Sequence, residues 1–432
     1  MPLSINTYLQ PEYLHLVTTF TEESAKIFHL PKSDSLKLIL ACEEVFSYLC
    51  SSGGHGEQIE VEIANGGYYV LLKFPLKSKH INLSKFNLTA SISTEDTGSL
   101  KDMGLLIASR SVERFYISGN NNDDLQLVLI KEKTYTIDDN ISLPVTKPLE
   151  NHSVKTPDTG EIKQLVLLVV SNYEPGFYLQ DFQYSGKVVD MVGSGEYAAK
   201  IAADRHGTIG AGIFWRWIGS KTVEILGPYV FSQKNELILA QELVNSCISE
   251  VAKSQAIAII CRYASPELPV DYFEKLGTIE YMLPDGTIQP RKIYYRQLKE
   301  DPGCRVWVNE DVAEFLKTEY SRLFFVRDIA MTGYAGEQRS PNSVFTYQFD
   351  RRNNEVTLNP IWDGEDFREN LNKYINVLTA ESIKNVFFEI DLARAWQVNL
   401  TEELIKNDFH PVLLLPYGGE ADILVFQYRG GR

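Results

Sequence analysis

Apolar residues first fall at helical spacing: Leu36, Ile39, Leu40, Val45, Phe46 and Leu49 line one side of a stretch that predicts a helix over 35–50. Gly53, Gly54 and Gly56 close it. Alternation then takes over in QIEVEIA and GYYVLLKF, joined at Asn65-Gly66-Gly67, which predicts a hairpin. A second helix starts within 99–102, carries Leu105, Leu106, Ile107 and Val112, and leads into the strands RFYIS and LQLVLI. Helix, hairpin, helix, hairpin over residues 1–135 predicts a two-layer α/β sandwich.

The pattern weakens over 136–160, where Pro144, Pro148 and Pro157 stand among Thr, Ser and Asn, as in a linker. Periodicity returns in YAAKIAADRHGTIGAGIFW, read as a hairpin turning at His206-Gly207, followed by a strand over 223–226 and a helix over 236–253. The strand AIAII, a short helix over 271–276 and the pair EYMLP and KIYYRQL complete that block. A helix beginning at 311–315 precedes a second run of the same plan. It comprises VFTYQFD, EVTLNP, a helix over 367–378, NVFFEID, a helix over 401–406, HPVLLLP and DILVFQY. Leu226 and Pro228 recur as Leu358 and Pro360, and Pro284 and Gly286 as Pro416 and Gly418, always 132 residues on. Constant offset with constant element order is the mark of duplication, so 161–300 and 301–432 read as two related domains. The fold class is α/β in the α+β sense, the sandwich being followed by two mixed-sheet domains.

Composition changes this picture little. With 44% hydrophobic and 23% charged residues the chain is ordinarily globular, and 432 residues suit several cores. A net charge of -15 argues against a general nucleic-acid surface, which needs concentrated Lys and Arg. The longest apolar run, at 165–170, is too short for a membrane span, and the start shows no basic segment followed by an apolar one. Five scattered cysteines without a CxxC pair fit reduced thiols in the cytoplasm. Seven dispersed histidines without HExxH give no metal site, and neither GxSxG nor a Walker sequence occurs. Gly193-x-Gly195-x-x-Ala198 runs directly into a strand, leaving no room for the helix a dinucleotide site requires.

Two family resemblances carry chemistry. LACEEVFSYL and KDMGLLIAS resemble the phosphate- and metal-handling helices of histidine-kinase-like ATPases in their anti-sigma-factor form. The resemblance places Glu43 at the acidic position, Ser47 where that family has Asn, and Gly104 in the Gly-rich helix opening. It implies ATP as a ligand and a regulatory protein as partner. The departures (Ser47 for Asn, Asp102 for the first glycine, PLKSKH where a D-x-G loop belongs) remove main handles on nucleotide.

ADRHGTIGAGIF, VEILGPYVF and DYFEKLGTIEY resemble, in order, the hairpin, central strand and helix terminus of GNAT acyltransferases. That resemblance implies acetyl-CoA or another acyl-CoA as donor and an amine as acceptor. It puts the pyrophosphate-binding segment at Tyr229, Phe231, Gln233 and Asn235, and the proton acceptor at Glu224. Tyr272 or Tyr295 would assist the departing thiolate. The family's paired glycines are missing from VFSQKNELILAQEL and from PIWDGEDFRENL. Glu224 between Val223 and Ile225 equally suits a solvated strand residue, Cys261 suits either core packing or a nucleophile, and Tyr294 shares the aromatic strand with Tyr295. Two functions therefore stand side by side: an N-acyltransferase, and a non-catalytic regulatory protein whose first domain binds a partner. ATP binding is a third reading. Oligomeric state is not fixed by any of these residues.

Overall fold

The computed structural model describes residues 2–52, 56–76, 86–89, 97–119, 125–137, 146–231, 233–283, 285–334 and 336–430, with backbone alone for 97–102. Gly53, Gly54, the PLKSKH residues beyond Leu76, Pro144, the Asp102 side chain and Pro284 lie outside this description.

The first segment runs β1 (Leu3–Tyr8), α1 (Leu14–Ile27), α2 (Lys32–Ser51), β2 (Gln58–Asn65), β3 (Tyr69–Leu76), α3 (Thr97–Ser111), β4 (Arg114–Ser118) and β5 (Leu125–Glu132). Its strands form an antiparallel sheet ordered β1-β2-β3-β5-β4. Inward Ile59, Val61, Ile63, Val70, Leu72 and Phe74 pack against Leu38, Val45, Phe46 and Leu49 of α2. Burial of these alternating side chains is what fixes the register. Asp34 and Lys131 are both buried and lie 3.6 Å apart, and Asp34 also accepts from Thr134 N and Oγ1, each at 2.8 Å.

The next segment runs β6 (Ser153–Lys155), α4 (Thr159–Asn172), α5 (Ser185–Gly193), β7 (Tyr197–Ala203), β8 (Ile209–Trp217), β9 (Thr222–Val230), α6 (Glu236–Val251), β10 (Ala258–Tyr263), β11 (Glu274–Met282) and β12 (Ile288–Gln297). Asp158 and Glu161 close a reciprocal capping box at the start of α4. The stretch expected as a helix over 271–276 is instead a short turn, Val270–Tyr272, entering β11. β11 gains a long ladder with β12, so pairing overrides local propensity.

The chain continues through β13 (Cys304–Val308), α7 (Glu310–Leu323), β14 (Arg327–Met331), β15 (Val344–Asp350), β16 (Glu355–Trp362), α8 (Phe367–Ala380), β17 (Asn385–Asp391), α9 (Ala395–Val398), α10 (Thr401–Lys406), β18 (Phe409–Leu415) and β19 (Ile423–Tyr428). One sheet is ordered β11-β12-β10-β9-β8-β7-β6 and another β15-β16-β17-β19-β18. The parallel pair β9–β10 and the antiparallel hairpin β11–β12 thus reappear as β16–β17 and β18–β19. Each hairpin even slips register at the same place, Lys275–Gly277 in one and Pro411–Leu413 in the other.

Contacts divide the chain into two compact units. The first holds 1–135 with 339–346 and 360–377; the second holds 136–338, 347–359 and 378–432. In the first, Asn87 Nδ2 donates to Ser343 O at 2.8 Å and its Oδ1 accepts from Phe345 N at 3.0 Å. In the second, the hairpin strands β11 and β18 meet: a Cβ on Gly277 would come within 2.6 Å of Leu413 Cδ1. No helix among the described residues is long and apolar enough to cross a membrane.

Candidate functional site

Strand β9 splits its side chains between two buried faces. Val223 and Ile225 join Ile259, Cys261, Leu239 and Leu243 under α6, while Glu224 points the other way. Glu224 is fully buried and gripped from both neighbouring strands. Arg216 Nε donates to its Oε2 at 2.9 Å, and Arg262 donates to Oε1 at 2.5 Å and Oε2 at 3.2 Å. Burial alone would raise its pKa, but the Arg262 and Arg216 guanidiniums outweigh that and hold it at about 2. A carboxylate so held is a poor proton acceptor. Neither sequence reading of Glu224, as solvated strand residue or as base, fits a buried carboxylate shared by two arginines.

Beyond Ile260 the β9–β10 ladder slips register, pairs once more at Leu226–Tyr263 and ends there, while β9 runs on to Val230. Gly227, at φ +93, sits where β9 also slips register against β8. Side chains now span the gap: Ser265 Oγ donates to Pro228 O at 2.5 Å. The Tyr173 hydroxyl accepts from Val230 N at 2.7 Å and lies 3.1 Å from Val230 O. At this end a cleft of about 340 Å³ opens, lined among others by Glu174, Arg262, Ser265, Arg291, Lys292 and Tyr294. Glu267, next to the lining residues Pro266 and Leu268, has its pKa raised by burial, interacts with Tyr173 and Ser265, and leaves Oε2 buried without a partner. Its position past the end of β10 sets it beside the cleft lining. Sequence gave no sign of it, because its value depends on burial at the end of β10.

The tyrosines sort by strand parity. Tyr294 lines the cleft, whereas Tyr295 is buried on the opposite face, 5.2 Å from Phe325, with burial raising its pKa. Tyr272 is half-buried against α6, 3.4 Å from Asn245 Nδ2. Tyr229 is buried, donates to Phe177 O at 2.8 Å, and has its pKa pushed well up by burial. Cys261 is likewise buried under α6, and burial raises its thiol pKa, as for a packing residue.

The segment expected to receive pyrophosphate is largely committed elsewhere. Phe231 N donates to Gly210 O at 2.9 Å, so with Val230 N on Tyr173 both amides are taken. The Gln233 amide accepts from Leu149 N at 2.9 Å and donates to Lys147 O and Phe231 O. Asn235 precedes α6 without capping it through its side chain, so the first-turn amides of that helix are the remaining donors. In the first unit, Glu43 and Ser47 lie exposed on α2, while Gly104 is buried, a Cβ there coming within 2.6 Å of Glu44 Oε2. Gly104 therefore serves the close approach of α3 to α2. Exposed His206 stands in its turn, and no cluster of potential metal ligands occurs among the described residues.

No protein-family model and no curated protein matches the chain. Solved structures that resemble part of it are acetyltransferases. An aminoglycoside 6'-acetyltransferase type Ii is 18% identical over 35% of this chain and 99% of its own, with a TM-score of 0.28. A GNAT-family acetyltransferase from Staphylococcus aureus Mu50 is 14% identical over 34% of this chain and 100% of its own, at 0.26. An aminoglycoside 6'-N-acetyltransferase complexed with coenzyme A is 16% identical over 35% and 99%, also at 0.26. At such scores the likeness decides nothing about the chemistry of this chain.

Proposed function

We propose that the cleft at the parted end of β9 and β10 transfers an acyl group from an acyl-CoA thioester to an amine. The carrying observation is the end of the β9–β10 ladder at Leu226–Tyr263, with β9 running on to Val230 and a cationic cleft of about 340 Å³ at the opening. The extended thioester arm takes the edge of β9 by displacing the Tyr173 hydroxyl from Val230, and the cleft receives the acceptor. In this reading the ammonium loses one proton to Glu267, and the free amine attacks the thioester carbonyl. The C–S bond breaks as the thiolate takes a proton from Tyr294, and Tyr294 recovers a proton from the new amide nitrogen. Glu224 holds Arg216 and Arg262 in place and transfers nothing. The second repeat has Val356 where the first has Glu224, and acts as a buttress.

Titration calorimetry of the whole chain with acetyl-CoA and CoA tests this. Saturable binding is expected, and Glu267→Gln is expected to spare it while abolishing acetyl transfer to an amine. Absence of heat up to about 1 mM, the upper end of ordinary substrate constants, would overturn the reading.

A second reading, regulation through a protein partner, is supported by α2 of the first unit. Leu36, Leu40, Glu43 and Ser47 recur along one exposed helical stripe, with Leu36 at 59% and Leu40 at 40% exposure. Exposed leucines in such a row suit a helix groove on a regulatory protein. Leu36→Glu together with Leu40→Glu should abolish a pull-down that wild-type protein supports; retention of the partner would exclude this face.

A further inference from the structure

We propose that the cleft binds a carboxylate at Arg291, so that the acceptor is a small amine that also carries a carboxylate. The amine half rests on the transfer reading above; the carboxylate half rests on the cleft alone. Arg262, Arg291 and Lys292 line it against a single carboxylate, Glu174. Arg262 already spends Nε and Nη2 on Glu224. Arg291 differs: its guanidinium lies 3.8 Å over the Tyr281 ring, and Nη2 reaches only the amide oxygen of Asn353 at 3.3 Å. Its Nη1 is buried without a hydrogen-bond partner. Among the described residues no carboxylate comes within 4.0 Å of Arg291 or Lys292.

A buried donor on a cation is unfavourable until an anion completes it. Stacking on Tyr281 fixes the guanidinium plane, the geometry that matches a carboxylate with two parallel hydrogen bonds. The loop at 174–177 closes over this group. Gly176 has φ +105, and a Cβ there would stand 2.6 Å from Arg291 Nη2. Any side chain at 176 would therefore collide with the anchor. Glu174, on the same loop, is the acidic partner for the ligand's ammonium group.

The test is calorimetry on the full chain with succinate, its neutral diamide succinamide, inorganic phosphate and, separately, acetyl-CoA. Succinate should bind and succinamide should not. Arg291→Gln should weaken succinate by about tenfold or more, the scale of a lost charge-assisted pair. Arg291→Lys keeps the cation without the planar fork and should fall between. If Arg291→Gln fails to fold, an unchanged succinate affinity in Arg291→Lys overturns the anchor. Equal binding of succinamide, or a preference for phosphate at matched ionic strength, also overturns it. Succinate binding with silence toward acetyl-CoA leaves the carboxylate site standing and removes the transfer reading. Acetyl-CoA binding without succinate binding does the reverse.

Discussion

The Asn385 side chain pairs both ways with the backbone of Met282: Oδ1 accepts from Met282 N at 2.8 Å, and Nδ2 donates to Met282 O at 3.0 Å. Asn385 opens β17 and Met282 ends β11, so one amide ties the two sheets together. Thr222 Oγ1, bonded to Pro416 O at 2.6 Å, makes a tie in the opposite sense. Asn385→Leu leaves a buried amide and carbonyl unpaired and should cost about 2–4 kcal/mol, read as a lower urea midpoint with unchanged slope. An unchanged midpoint would mean that the sheets do not depend on this seam.

Glu224→Gln tests whether that carboxylate is structural. Breaking a buried pair leaves two guanidiniums uncompensated, and the expected loss is about 3–5 kcal/mol. The folded pKa of about 2 lies below the ordinary 4.5, so the ionised form is favoured by folding. Its stabilisation is complete above 4.5 and is lost as pH falls toward 2. The gap between wild type and variant should therefore narrow under acid, measured by urea unfolding across that range.

Glu355 titrates in the opposite sense. Burial is the largest cause of its pKa rising to about 7, aided by Asp350 and opposed by a hydrogen bond from Tyr281. A carboxyl with a raised folded pKa contributes fully below its ordinary 4.5 and loses that contribution as pH rises to about 7. Wild-type stability should drop by roughly 1–3 kcal/mol over this window relative to Glu355→Gln. Parallel pH profiles for the two proteins would refute it.

Tyr173 guards the parted strands. Tyr173→Phe removes the hydroxyl that occupies both polar groups of Val230, and should cost about 1–2 kcal/mol of stability. It should also strengthen acetyl-CoA binding, because the freed amide and carbonyl become available to the thioester arm. Weaker acetyl-CoA binding in this variant, measured by calorimetry, would place the arm elsewhere.

Much of the secondary structure was legible because it rests on local periodicity. The stripe from Leu36 to Leu49 became α2, and the alternation in QIEVEIA and GYYVLLKF became β2 and β3. Several elements escaped the reading, α1, β1, α4, α5, β13 and β14 among them. In α1 the buried side includes Thr21 and Ser24, so polar letters interrupt its stripe. β1 is an edge strand with mostly exposed side chains, and pairing with β2 rather than its own pattern makes it a strand.

The 132-residue echo of prolines and glycines, together with the element order around it, is what the sequence by itself contributes to reading two related blocks, because turn chemistry and periodicity are written locally. Tertiary structure alone decided what the blocks do with their polar residues. Tyr294 and Tyr295 are adjacent letters, yet strand parity sends one to the cleft and the other into the core. Glu224 reads as a solvated or reactive acid until Arg216 and Arg262 arrive from neighbouring strands. Arg291 reads as one more surface cation until stacking on Tyr281 holds its guanidinium with Nη1 buried and without a hydrogen-bond partner. Charge and burial at a site are sums over residues distant in sequence, and only the fold brings those residues within range.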